Sequence, residues 1–279
     1  MEFENMNYEA FKIKIENGVA HVILNQPESM NAMGKAFWSE CREIFESISN
    51  NPHVRVVVVT STGKHFSAGM DLGFFAKLEI PTTGDPGRMS EQRRRFILDL
   101  QESFNAIERC KVPVLIGIHG AAIGGAVDMV CTCDTRYCTE DAYFAIQEIK
   151  IGMTADLGTL QRLPHLIPSG LARELAYTGR KLKAEEAQAS GFVTRVFVDH
   201  EAMIEGLMRT AQEIAARSPL AVAGSKEMLD YARGHTVPEG LNYIATWNAA
   251  MIVTDDLKEG LRAQSEKRLP KYHDLLGNS

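Results

Sequence analysis

The chain has no long uninterrupted apolar run. Its most apolar stretch, 112–131, is broken by Pro113, His119, Asp128 and four glycines, which argues against a membrane span. Cysteine is scarce. Cys41, Cys110, Cys131, Cys133 and Cys138 are odd in number and contain no CxxC pair. The eight histidines supply neither HxxxH nor HExxH. A structural or catalytic zinc site needs several ligands at short paired spacing, so no metal is expected, and the thiols are expected to be reduced and mostly buried. Excess positive charge is also missing. A net charge of −6 disfavours non-specific binding to polyanions, so no nucleic-acid partner is expected. The acidic start, MEFENMNYEAF, lacks the apolar core of a secretory signal, and Gly277-Asn278-Ser279 is not a peroxisomal address. These features predict a cytoplasmic protein.

What is present fits a soluble globular protein: 279 residues, 45% apolar and 24% charged. Phe11–Leu24 (FKIKIENGVAHVIL) alternates on both sides of Asn17-Gly18, a strong hairpin signal. Residues 33–49 carry apolar positions at helical spacing. The β-branched run 54–60 (VRVVVVT) and the segment 112–118 read as strands buried on both faces. Residues 77–88, with Pro81, Gly84, Pro86 and Gly87, read as a loop, and a helix is expected over 91–109. Residues 136–146 read as a further strand region. Helical segments are expected near 171–178, 184–189, 201–216, 220–233, 241–252 and 257–268, separated by Gly, Pro and Ser signals. Strands alternate with helices first and helices alone follow. This predicts an α/β core over 1–200 and a helical C-terminal region over 201–279, too thin to bury its own apolar faces.

Three carboxylates stand in unexpected company. Asp128 follows Gly124-Gly125-Ala126-Val127, Glu148 lies in FAIQEIKIGM, and Asp156 lies in MTADLGTL. Burying a carboxylate is costly unless it is paired or hydrogen-bonded, and burial raises its pKa toward the range useful to a general acid or base. Each also has a plainly structural alternative; Asp156, in front of Leu-Gly-Thr-Leu, has the position of a helix cap. Two glycine-containing turns, 65–72 and 120–125, follow predicted buried strands, where α/β proteins place ligands. Their spacing fits neither GxGxxG, nor a Walker loop, nor GxSxG.

The segments FSAGMDL (66–72) and IHGAAIGGAVDM (118–129) resemble the paired oxyanion-hole motifs of the crotonase family, the enoyl-CoA hydratase/isomerase superfamily. LNQPESMNAM (24–33) and EGLRAQSEKRLP (259–270) are similar to its N- and C-terminal signatures. Residues 133–164 and 241–251 look like the branch of Δ3,5-Δ2,4-dienoyl-CoA isomerases. The resemblance implies a crotonase-like spiral of ββα units whose C-terminal helices make trimers or hexamers. It implies an acyl-CoA substrate, fatty-acid β-oxidation as the setting, and no cofactor, because CoA is part of the substrate. Backbone N–H groups of Met70 and Gly125 would form the oxyanion hole, and CoA would lie along Ser67, Ala68, Met70 and Leu72.

Hydratases carry glutamate at the positions matching Asp128 and Glu148, and usually glycine at the position of Asp156. The dienoyl isomerases carry Asp, Glu and Asp, as here. Glu148 and Asp156 would transfer protons, in an order left open, with Asp128 as a third, orienting or pKa-setting acid. Gln26, Ser29 and Met30 stand where the family often has basic residues. The alternatives are an enoyl-CoA hydratase or another crotonase-fold isomerase, a family member that binds RNA or protein, and an inactive scaffold.

Overall fold

The computed structural model describes residues 8–76 and 84–276. Strands β1 (Phe11–Glu16) and β2 (Val19–Leu24) form the expected antiparallel hairpin. Asn17 and Gly18 both have positive φ, as a tight two-residue turn requires. Four parallel strands extend the sheet beyond β2: β3 (Val56–Ser61), β4 (Val114–Ile118), β6 (Thr135–Thr139) and β9 (Arg195–Phe197). All residues of β3 and β4 are buried, which explains their unbroken apolar character.

A second, smaller sheet contains β5 (Ala121–Ile123), β7 (Tyr143–Ala145) and β8 (Leu182–Lys183). Two isolated parallel bridges continue its pairing, Ser67 to Ala122 and Met33 to Met70. Each pass of the chain therefore lays one strand in the large sheet and a short one in the small sheet. The passes run from β2 to Met33, from β3 to Ser67, from β4 to β5 and from β6 to β7. This is the expected spiral. The region 136–146 thus holds two strands in different sheets where the sequence suggested one strand region. The short β8 and β9 carry no strand signal of their own.

Helices α1 (Lys35–Asn50) and α3 (Pro86–Glu108) pack together on one side of the core. Phe37, Trp38 and Phe104 meet there edge-to-face, with Trp38 and Phe104 centroids 5.3 Å apart. Helix α3 starts five residues before the expected Glu91. Asp85 caps it by accepting from the Arg88 N–H at 2.9 Å, and Pro86 takes the first helical position, where a missing N–H costs nothing. Of the loop expected over 77–88, residues 77–83 lie outside the described residues, and 86–88 are helical.

Between these elements lie α2 (Leu72–Ala76), α4 (Gly125–Thr132), α5 (Thr159–Arg162), α6 (Ser169–Thr178) and α7 (Ala184–Ala189). Every residue of α4 is buried. Helix α8 (His200–Ala215) seals the opposite face of the large sheet, packing Met203, Leu207 and Ala211 on Val56, Val58 and Leu115. Beyond it, α9 (Pro219–Ala232), α10 (Val237–Met251) and α11 (Asp255–Ser265) form an arm. The arm is anchored by Lys226, whose Nζ donates to Asp134 Oδ2 at 2.9 Å and to the Val112 carbonyl. No residue of α10 is buried. Val237, Leu241, Ile252 and Leu261 are exposed around a groove of about 970 Å³. The five cysteines are free and buried, and burial pushes the thiols of Cys131, Cys133 and Cys138 up to about 12.

Candidate active site

The first glycine turn leaves β3 and reaches the small sheet at Ser67. That serine is buried, and its hydroxyl is fully engaged. It donates to the Asn31 carbonyl at 2.7 Å and accepts from the Gly69 N–H at 3.0 Å. Asn31 has positive φ, a conformation asparagine tolerates better than most residues. Its side chain accepts from the Gln26 N–H and donates to the carbonyls of Thr62 and His65. The turn is therefore braced from below before any ligand is considered. Asp71 is also structural: its Oδ1 accepts from the N–H groups of Gly73 and Phe74 and starts α2.

The braced turn lies against the second glycine turn. Gly69, at φ +81°, passes so close to Ile123 that a Cβ would sit 2.2 Å from the Ile123 carbonyl oxygen and 3.2 Å from the Gly125 nitrogen. The Met70 nitrogen lies 3.8 Å from the position a Cβ on Gly125 would take. Both the Met70 and the Gly125 N–H lack an acceptor among the described residues. Gly125 also opens α4, so its N–H lies at the positive end of that helix. Two unpaired donors from different turns thus stand side by side, as charge stabilisation on one oxygen requires. Ala68 and Met70 are half-buried and Leu72 is exposed. An elongated ligand can lie along them; Ser67 offers no free polar group.

The three acids lie close to one another, and Glu148 stands against the second turn at Gly124. Asp128 lies in the first turn of α4, 1% exposed, and its Oδ1 accepts from the Thr159 N–H at 2.6 Å. Burial pushes its carboxyl up to about 7, and the negative charges of Glu148 and Asp156 push in the same direction. Glu148 opens a short 3₁₀ turn (Glu148–Ile151), and its Oε1 sits 3.0 Å from where a Cβ on Gly124 would be. Its Oε2 is buried without a hydrogen-bond partner among the described residues. Burial raises the Glu148 pKa, and the nearby Asp156 charge raises it further. Asp156 is half-buried, and burial raises its pKa as well. It does not cap α5, whose N-cap is Gly158.

Several supporting groups gave no sequence signal. Gln101 donates to the Asp156 carbonyl at 2.6 Å, and the Thr159 N–H holds Asp128. His65 Nδ1 accepts from the Ala121 N–H at 3.2 Å and ties the two turns together. Their partners are backbone groups far away in sequence, so no local pattern announces them.

The family model described as enoyl-CoA hydratase/isomerase matches residues 14–275. A mitochondrial Δ(3,5)-Δ(2,4)-dienoyl-CoA isomerase of Mus musculus is 45% identical over 270 residues, covering 96% of this chain and 83% of that protein. The peroxisomal enzyme of the same name from Arabidopsis thaliana is 42% identical, covering 96% of this chain and 97% of its own length. The crystal structure of an enoyl-CoA hydratase from Bacillus anthracis superposes with a TM-score of 0.87 at 30% identity, covering 95% of this chain and 99% of that one.

Proposed function

The chain belongs to the enoyl-CoA hydratase/isomerase family, and from that premise we propose that it isomerises 3,5-dienoyl-CoA to 2,4-dienoyl-CoA. One observation carries the choice of reaction. Three acids, Asp128, Glu148 and Asp156, lie close to one another, with Glu148 against the turn that carries the Gly125 N–H, and all three pKa values are raised. A hydratase needs two acids around one water. A proton shift along a conjugated chain needs a proton acceptor at C2 and a donor at C6.

The thioester carbonyl oxygen accepts from the Met70 and Gly125 N–H groups. One carboxylate, of Glu148 or Asp156, removes a proton from C2. The electron pair of that C–H bond spreads over the oxygen, C2, C4 and C6, while both N–H groups stabilise the oxygen end. Loss of one such donor costs about 3–4 kcal/mol of transition-state stabilisation. The other carboxyl, in its protonated form, donates a proton to C6. The double bonds then lie at C2–C3 and C4–C5. Glu148, with one oxygen buried and unpaired, gains a partner when substrate arrives. Asp128 holds the start of α5 through the Thr159 N–H, and the charges of Glu148 and Asp156 add to the burial that raises its own proton affinity. The shift balances in atoms and electrons without any metal or redox cofactor, and CoA enters as part of the substrate.

The proposal includes an assembly and a location. The exposed apolar side chains around the α9–α11 groove support trimers, singly or paired as hexamers, formed through the arm. No described helix is long and apolar enough to cross a membrane. The cytoplasmic location stays part of the proposal; the named relatives are mitochondrial or peroxisomal enzymes, and cell fractionation against organelle markers decides between these.

The function is tested by following purified protein in the near ultraviolet with a 3,5-dienoyl-CoA, beside a short 2-enoyl-CoA. Conjugated 2,4-dienoyl product with little hydration is expected. Hydration without isomerisation would make this a divergent hydratase.

A further inference from the structure

Asp156 sits on an unusually unsupported piece of chain. Residues 153–156 have no regular secondary structure. Among the described residues, the span 154–157 makes a single hydrogen bond to another element, from Gln101 Nε2 to the Asp156 carbonyl. Gln101 belongs to α3, and so do Asn105 and Glu108. At spacings of four and three, these residues form one stripe along that helix. All three face the same segment. Asn105 Oδ1 accepts from Arg162 Nη2 at 2.8 Å, and Glu108 Oε2 accepts from Arg162 Nε and Nη2 at 3.1 and 2.7 Å. The Arg162 guanidinium in turn lies on the backbone at Gly158. There φ is +127°, and a Cβ would be 1.8 Å from Arg162 Nη1. Glu108 Oε1 accepts from Arg233, the residue that follows α9, at 2.7 Å, so the same stripe also touches the arm.

We propose that Gln101 is the positioning residue for Asp156, and that Asn105, Glu108 and Arg162 form the rail that keeps the Asp156 segment within its reach. Gln101 touches no reacting atom. It acts by fixing the backbone from which the Asp156 carboxyl projects, in a segment with no ladder hydrogen bonds of its own. Proton transfer is sensitive to placement on the scale of 1 Å, so a loosened segment lowers turnover more than binding. This rests on the role given to Asp156 above.

The test compares wild type, Gln101→Met, Asp156→Asn and the double variant, by isomerisation kinetics and by amide hydrogen exchange of peptides covering 153–160. Met keeps the length of Gln and removes the donor. Gln101→Met is expected to lower kcat about ten- to a hundredfold, leave KM within twofold, and raise exchange in 153–160. In the Asp156→Asn background the same change should alter the residual rate less than twofold, because its route of action is already gone. Equal losses in both backgrounds, or a kcat within twofold of wild type, would overturn the proposal. Arg162→Lys keeps the charge but loses the fork onto Asn105 and Glu108; it should give the same pattern at smaller amplitude, and decides the matter if Gln101→Met does not fold. A wild type without isomerase activity would defeat the proposed reaction, not this inference. Exchange in 153–160 would then be the deciding readout, and exchange unchanged by Gln101→Met would reject the role.

Discussion

Two regions of this molecule depart from ordinary protein packing in opposite directions. Around α4, carboxyl groups are withdrawn from water: Asp128 is sealed, and one oxygen of Glu148 is buried without a partner among the described residues. Around α10, hydrocarbon is left in water: Leu241 is 63% exposed and Val237 is 75% exposed. Elsewhere the chain follows the usual rules, with β3 and β4 wholly buried and α8 laid on the sheet by its apolar face. Local departures of this kind mark places where stability is traded for interaction. Buried acids with raised proton affinity suit a substrate that exchanges protons. An exposed apolar groove suits another copy of the chain. The sign of each departure indicates the chemistry of what is to be bound.

The contrast is broken most severely at the acids. Asp156→Asn is expected to lower turnover by about 10²–10⁴ while leaving circular dichroism and Tm near wild type, and Glu148→Gln should act similarly. Turnover unchanged in either variant would remove that residue from the chemistry. Gly69→Ala comes next. Its Cβ would meet the Ile123 carbonyl at 2.2 Å in a backbone conformation unfavourable to alanine, so the two donor turns must move apart. A loss of about 10²–10³ in kcat is expected from steady-state kinetics, with retained global structure.

At the arm, Leu241→Glu should shift sedimentation from the assembled species toward monomer without unfolding the spiral core, because Leu241 is not part of that core. An unchanged sedimentation profile would break the proposed link between the groove and assembly.

The smallest expected effect concerns stability and pH. Asp128 binds its proton more tightly in the folded chain than in the unfolded one, its pKa rising from 3.8 to about 7. Between those values the folded state holds the extra proton, so this group lowers stability as pH rises through the window. Above it the whole penalty stands, at most about 4 kcal/mol. Asp128→Asn should therefore raise Tm relative to wild type at pH 8, and the gap should close toward pH 4. A gap that widened toward acid would reverse the sign.

Much of this was legible in the sequence for identifiable reasons. Asn17-Gly18 needs only its own backbone to make a turn, and the β-branched run before Ser61 needs only burial to make a strand. The six C-terminal helical segments were placed within a few residues, because Pro, Gly and Ser mark their ends. Asp128, Glu148 and Asp156 stood out because acids are rare among such neighbours. What stayed hidden depends on long-range pairing. The two strands β8 and β9 exist because β7 and β6 offer them edges. Gln101 and Asn31 look like ordinary polar residues until their distant carbonyl partners arrive. The start of α3 departs from the expectation because Pro86 and Gly87 carry a loop signal, whereas Pro after a capping Asp opens a helix.

The central claim is that separate carboxyl groups serve the two ends of the conjugated chain. Its most direct test is isomerisation of a 3,5-dienoyl-CoA in D₂O, with the label located in the product by NMR. A carboxyl that exchanges with solvent between turnovers delivers deuterium, so one deuterium at C6 and none at C4 is the predicted result. Product carrying the original C2 hydrogen at C6 would mean that one carboxylate carries the proton across, and would contradict the account.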